Sequence, residues 1–154
     1  MRPLIPHLLA VAFCTAPATA FAQGGSCLIE MSGLDFGVYS GLTPAADTAI
    51  GRLNVRCLPA AGAGTPQVRI GAGGSGQHLD RMMASGTARL RYNLYLDPAH
   101  RLVAGDGSAG TSLLPAPRTR AIGRYVWPIF GMIPPGQRVP AGVYSDTLLI
   151  EIAF

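Results

Sequence analysis

Apolar and polar residues alternate over the last eleven positions, Y-S-D-T-L-L-I-E-I-A-F at 144–154. Tyr144, Leu148, Ile150, Ile152 and Phe154 share one face, interrupted only by Asp146, while Ser145, Thr147, Glu151 and Ala153 share the other. A period of two puts successive side chains on opposite sides of an extended backbone, so this stretch is expected to be a strand with one buried face. With no turn or further strand after it, its outer edge is left for another polypeptide to fill, because an unpaired edge invites association.

The same period recurs upstream. Leu90, Tyr92, Leu94 and Leu96 oppose Arg91, Asn93, Tyr95 and Asp97, and Leu53, Val55 and Cys57 oppose Arg52, Asn54 and Arg56. Residues 27–31 and the run L-D-F-G-V-Y, where Leu34, Phe36 and Val38 alternate with Asp35, Gly37 and Tyr39, read as strand pieces. Val68 and Ile70 sit in a short strand ending at Gly71. Residues 125–133 are apolar, and Pro128, which has no N–H to give to a ladder, marks them as an edge strand or a break. Residues 98–117 are rich in Gly, Ala, Ser and Pro, a loop long enough to suggest mobility or a binding role. No segment sustains a 3.6-residue period, so short strands divided by Gly and Pro turns predict an all-β sandwich.

Composition supplies an address. Arg2, an apolar run over 8–13 and A-F-A at 20–22 have the layout of a secretory signal peptide over 1–22, with cleavage after Ala22. The run is far shorter than the roughly 20 residues of a membrane span. Removal of 22 of the 154 residues leaves one domain, 23–154. Cys27 and Cys57 then form an even pair in an exported chain, and one disulfide is the natural inference. Loss of Arg2 also lowers the formal charge from +4 to +3. The remaining arginines are scattered at strand-like spacings and form no basic stripe with stacking aromatics, so nucleic acid is not an expected partner.

Candidate chemistry is thin. G-A-G-G-S-G at 71–76 fits a dinucleotide fingerprint in spacing, but the following Q-H-L-D-R-M-M-A-S-G is too soon broken by Gly86 to be the required helix. A hairpin loop is expected instead. Ser75, His78 and Asp80, or Asp97, His100 and Asp106, offer hydrolytic residue types without a nucleophile elbow or another recognised frame. Two cysteines with His78 and His100 in long loops give no metal-ligand spacing. Neither enzyme activity, a cofactor, a metal nor a small-molecule substrate is expected. Trp127 beside Pro128 reads as packing.

An ordered set of blocks carries a resemblance: Cys27, F-G-V-Y at 36–39, Cys57, the Gly71 loop with D-R-M-M at 80–83, L-R-Y-N-L-Y-L-D at 90–97, G-D-G at 105–107, P-I-F-G-M-I-P-P-G-Q at 128–137 and A-G-V-Y-S-D-T-L-L-I-E-I-A-F at 141–154. The chain resembles the spore coat protein U domain, the subunit type of archaic chaperone-usher pili. That resemblance implies an incomplete immunoglobulin-like sandwich lacking its last strand, completed first by a periplasmic chaperone and then by the N-terminal segment of another pilin subunit after delivery to an outer-membrane usher. It implies passage through the periplasm to a cell-surface fimbrium. The groove would lie beside Tyr144, Leu148, Ile150, Ile152 and Phe154, with the terminal carboxylate at Phe154 gripped by the chaperone.

One departure bears on position in the fibre. A donating subunit carries an extended segment before its first cysteine, whereas only residues 23–26 precede Cys27 after cleavage. At about 3.3 Å each, four residues span about 13 Å, against about 36 Å for an eleven-residue strand. The expectation is a subunit that accepts a strand and donates none, at the tip or end of a fibre. A free-standing secreted binding or coat protein is the alternative, with its edge covered by its own chain.

Overall fold

A computed structural model describes residues 27–57, 66–115 and 124–153; the expected leader, its expected boundary at Ala22 and Phe154 lie outside the described residues. Among the described residues, seven strands follow in chain order: β1 (Cys27–Ser32), β2 (Asp47–Cys57), β3 (Gln67–Ile70), β4 (Arg81–Ser85), β5 (Ala88–Tyr95), β6 (Arg124–Ile133) and β7 (Ile150–Ala153). One antiparallel sheet has the order β1-β2-β6-β5-β4, and β3 pairs with β7 in a second. The two sheets face each other as an all-β, immunoglobulin-like sandwich. Leu53 and Val55 of β2, Leu90, Tyr92 and Leu94 of β5, Trp127, Ile129 and Ile133 of β6 and Val68 and Ile70 of β3 fill the space between them.

The strongest alternations become the strands they predict, and three weaker expectations change. Leu34 and Phe36 lie inward, but residues 33–39 form no ladder, and Tyr39 rather than Val38 turns to the core. The cause is local. The Gly37 N–H donates to Asp35 Oδ1 at 2.8 Å, and Gly37 takes φ +68°, which inverts the phase and leaves Val38 97% exposed. Tyr39 is then fixed by its hydroxyl, which donates to Pro134 O and accepts from Gln137 N.

Pro128 is the second correction, because β6 is an interior strand of the sheet. It is tolerated because β5 pairs with β6 only over Phe130–Met132, so the stretch around Pro128 is laddered to β2 alone. The third concerns residues 98–115, which are stitched into the sandwich. Ala104 N donates to Leu94 O, Ile70 N donates to Gly105 O and Leu114 N donates to Val68 O, so this segment covers the edge of β3 away from β7. Ala104 and Leu114 are accordingly buried; positions 116–117 fall outside the described residues.

A buried cation ties these pieces together. Arg81 opens β4 with no exposed surface. Its guanidinium donates to Gly71 O at 2.8 Å, Ala104 O at 2.9 Å, Asn93 Oδ1 at 2.7 Å and His78 O at 3.1 Å. Asn93 is therefore buried although its position in β5 belongs to the outward phase. Burial pushes the Arg81 guanidinium below its ordinary value, opposed by Tyr92, Asp146 and Asp106.

Candidate functional site

The terminal segment is shorter as a strand than the alternation predicts. Among the described residues, only Ile150–Ala153 form β7, paired in register with β3 as Ile150↔Ile70, Glu151↔Arg69, Ile152↔Val68 and Ala153↔Gln67. Five residues before Ile150 the chain belongs to the other sheet. Ser145 exchanges both backbone hydrogen bonds with Ala84 of β4, at 2.8 and 3.1 Å. Residues 146–148 cross between the layers, and pairing resumes where Gly71 N donates to Leu149 O at 2.8 Å. A crossing strand cannot ladder continuously to either sheet, which shortens β7.

The inward phase holds across the crossing. Tyr144, Leu148, Ile150 and Ile152 pack against the core, while Leu149, Glu151 and Ala153 are exposed. Their burial is incomplete in a directional way. Val68 and Ile70 of β3 are 0% and 1% exposed, but their cross-strand partners Ile152 and Ile150 are only half-buried. The core thus thins from β3 towards the outer edge of β7, where no strand is paired among the described residues. The same gradient marks the far edge of the larger sheet. Leu53 and Val55 of β2 are fully buried, whereas Met31 and Ile29 opposite them on β1 are half-buried and exposed.

Next to Tyr144 the surface opens into a cavity of about 660 Å³ between residues 34–41 and 139–144, floored by Met83, Leu90 and Ile133. Val38 and Val143, 97% and 88% exposed, are among its lining residues. A half-covered strand at a sheet edge can take an added extended segment, whose backbone would supply the missing ladder.

The cysteines are brought together in the backbone. Cys27 is disulfide-bonded, and the β1–β2 register sets it opposite Cys57. Directly opposed antiparallel residues have Cα atoms about 4.5–5.5 Å apart, inside the range that a disulfide spans.

The hydrolytic residue types do not converge. Ser75 Oγ bonds Ala72 O and the backbone of Gln77, Asp80 pairs with Arg91 at 3.2 Å, and His78 Nε2 meets Ile70 O at 3.1 Å. Asp97 receives the N–H groups of Arg101 and Leu102, His100 stands edge-on to Tyr95, and Asp106 accepts from Ser108. His78 comes to 4.0 Å from Asp106, across the two sets.

Sequence reasoning missed Arg81 and the use made of Asp146. Asp146 Oδ2 accepts from Tyr92 Oη at 2.7 Å, and Oδ1 accepts from Gly74 N at 2.9 Å. The available signal was its position, a carboxylate in the inward phase of an otherwise apolar face.

With this geometry in view, comparison with known proteins gives a consistent answer. The Spore Coat Protein U domain model matches residues 13–151. "Protein U" of Myxococcus xanthus is 32% identical over 154 aligned residues, covering 85% of this chain and 79% of the relative. Among solved structures, the fold is similar to a chain in the CsuC–CsuE chaperone–tip adhesion subunit pre-assembly complex from the archaic chaperone-usher Csu pili of Acinetobacter baumannii. That match has a TM-score of 0.54 and 18% identity, and covers 84% of this chain but only 40% of the other. The ordered blocks, the open sandwich and the extent of the family match converge on one conclusion: the chain belongs to the Spore Coat Protein U domain family.

Proposed function

We propose that this protein is a non-enzymatic structural subunit of a chaperone-usher surface fibre, and that it accepts a complementing strand along the outer edge of β7. The observation that carries this reading is the burial gradient from Val68 and Ile70 to the half-buried Ile152 and Ile150 at an open edge. Family membership and the fold shared with the Csu pilus complex support it. The groove is assigned to Tyr144, Leu148, Ile150, Ile152 and Phe154, the last outside the described residues. It is filled first by a periplasmic chaperone and, after passage to an outer-membrane usher, by another subunit. Main-chain hydrogen bonds supply affinity, and apolar side chains entering beside Ile150 and Ile152 supply specificity. A Cys27–Cys57 disulfide staples the β1 edge.

The test compares wild type with Ile150→Asp in the native host, separating sheared surface material without heating. Wild type should run as heat-labile multimers, and the charge introduced at position 150 should abolish them. Leu149→Asp, on the exposed face, is the control and should assemble. Normal multimers from Ile150→Asp, or a wild-type chain that stays a stable monomer, would overturn the reading and favour a free-standing secreted protein. The terminal position in the fibre rests on processing after Ala22. Mass spectrometry of the exported chain should find Gln23 as its first residue, and a start well upstream would remove that part of the proposal.

A further inference from the structure

The glycine loop at 71–76 holds no nucleotide-binding helix; it holds the protein's own Asp146. A 3-10 turn at Gly73–Ser75 turns the Gly74 N–H onto Asp146 Oδ1 at 2.9 Å. Gly73 has φ +73°, and a Cβ there would overlap the Asp146 carboxylate. Two missing side chains therefore make the room, and Tyr92 of β5 closes the far side with its hydroxyl 2.7 Å from Oδ2. Thr147 N also donates to Oδ1 at 2.9 Å. Burial and the Asp146 carboxylate push the Tyr92 hydroxyl well above its ordinary value, which keeps it a donor.

This cradle sits where the terminal segment passes from β4 to β3. Among the described residues the β3–β7 ladder is four residues long and has one open edge, so it specifies register weakly by itself. Nor would the apolar pattern hold it. Tyr144, Leu148, Ile150 and Ile152 are separated by even numbers of residues, and a slip by two keeps each on the same face. Asp146 breaks that degeneracy, because such a slip carries its carboxylate about 7 Å from Tyr92 and Gly74 and brings an apolar side chain into a polar cradle.

We propose that Asp146, seated by Gly73, Gly74 and Tyr92, is the register lock of the acceptor strand: a positioning residue that fixes which side chains of β7 stand at the open edge. Its functional meaning rests on the acceptor-strand reading above.

Register is read directly by paired cysteines in the full exported chain, with linked peptides identified by mass spectrometry. Arg69→Cys with Glu151→Cys reports the native register, since these exposed residues are direct partners. Arg69→Cys with Leu149→Cys, or with Ala153→Cys, reports a slip of two. In the Asp146 background the native pair should predominate by on the order of tenfold or more, the worth of one charge-assisted hydrogen bond. Asp146→Leu should raise the slipped products to parity, and Asp146→Asn, which still accepts from Gly74 N, should restore the native pair. Tyr92→Phe removes one oxygen and keeps the test open if Asp146→Leu does not accumulate; it should raise slipped products several-fold. Native-only cross-links in Asp146→Leu, or in Tyr92→Phe where that variant stands in, overturn the lock. The two readings separate: slipped products together with normal assembly of Ile150→Asp would keep the lock and remove the acceptor strand. Native-only products with assembly lost would do the reverse.

Discussion

Arg81→Met replaces the buried guanidinium by a chain of similar length with no donors, and the structure sets the cost. Five N–H···O contacts of 2.7–3.2 Å are lost, spread over four acceptors. Asn93 Oδ1 keeps a partner, because it also accepts from Leu94 N at 2.8 Å. Gly71 O and His78 O lie in partly buried bonds that water can replace. Ala104 O sits in a fully buried bond and is orphaned. An unsatisfied buried carbonyl costs about 1–3 kcal/mol, and each of the replaceable bonds about 1 kcal/mol. Relief of guanidinium desolvation offsets part of this, leaving a net loss of about 3 kcal/mol. With a urea slope of about 2 kcal/mol/M, the unfolding midpoint should fall by about 1.5 M. Intrinsic fluorescence of Trp127 supplies the signal. Apolar replacement of a buried ion pair can be neutral because both charges leave together; here the carbonyls remain. A midpoint within about 0.2 M of wild type would therefore refute the argument that Arg81 holds the β3 end, residue 104 and residue 78 in one knot.

Other expectations are as direct. Gly131→Ala should cost about 1–3 kcal/mol, since its Cβ would stand 2.6 Å from the Phe36 ring that covers β6; loss of stability without loss of secretion, by thermal melting and export assays, checks it. Cys57→Ser should destabilise by about 3.5 kcal/mol, the closure entropy of a loop of about 30 residues, and make unfolding insensitive to reductant. The Ser108 hydroxyl and N–H hold Asp106 at about 2, with His78 a smaller contributor. The folded value is depressed, so its stabilisation is present above the unfolded value near 4 and is lost as pH falls towards 2. Asp106→Asn should flatten the acid limb of a stability-against-pH profile over that window, and an unchanged limb would contradict this assignment.

Legibility in the sequence followed how much of each signal was local. The inward phases of β2, β5 and the terminal segment depend only on alternation, and Leu53, Val55, Leu90, Leu94, Ile150 and Ile152 lie where it puts them. Residues 34–39 failed at one backbone angle, because Gly37 switched the phase and exchanged Val38 for Tyr39. Pro128 was read by its missing N–H, which is correct chemistry, but the length of the β5–β6 pairing that accommodates it is a tertiary fact. Arg81 was hidden for the same reason. Its acceptors lie 3 to 23 residues away along the chain, and nothing around D-R-M-M separates a buried arginine from a solvated one. The inward face of the terminal segment was legible, while its crossing between sheets at 146–148 was not.

Two isoleucines left half in water on one side of the sandwich have a thermodynamic corollary. If β7 accepts a strand as proposed, folding and docking become one linked equilibrium, and the melting temperature of this domain becomes a property of the mixture it is in. A complementing segment at a hundred times its dissociation constant would contribute about 2.7 kcal/mol, comparable to the whole Arg81 knot. Durability would then be shared along the fibre, and a subunit deprived of its neighbour would be the first to melt.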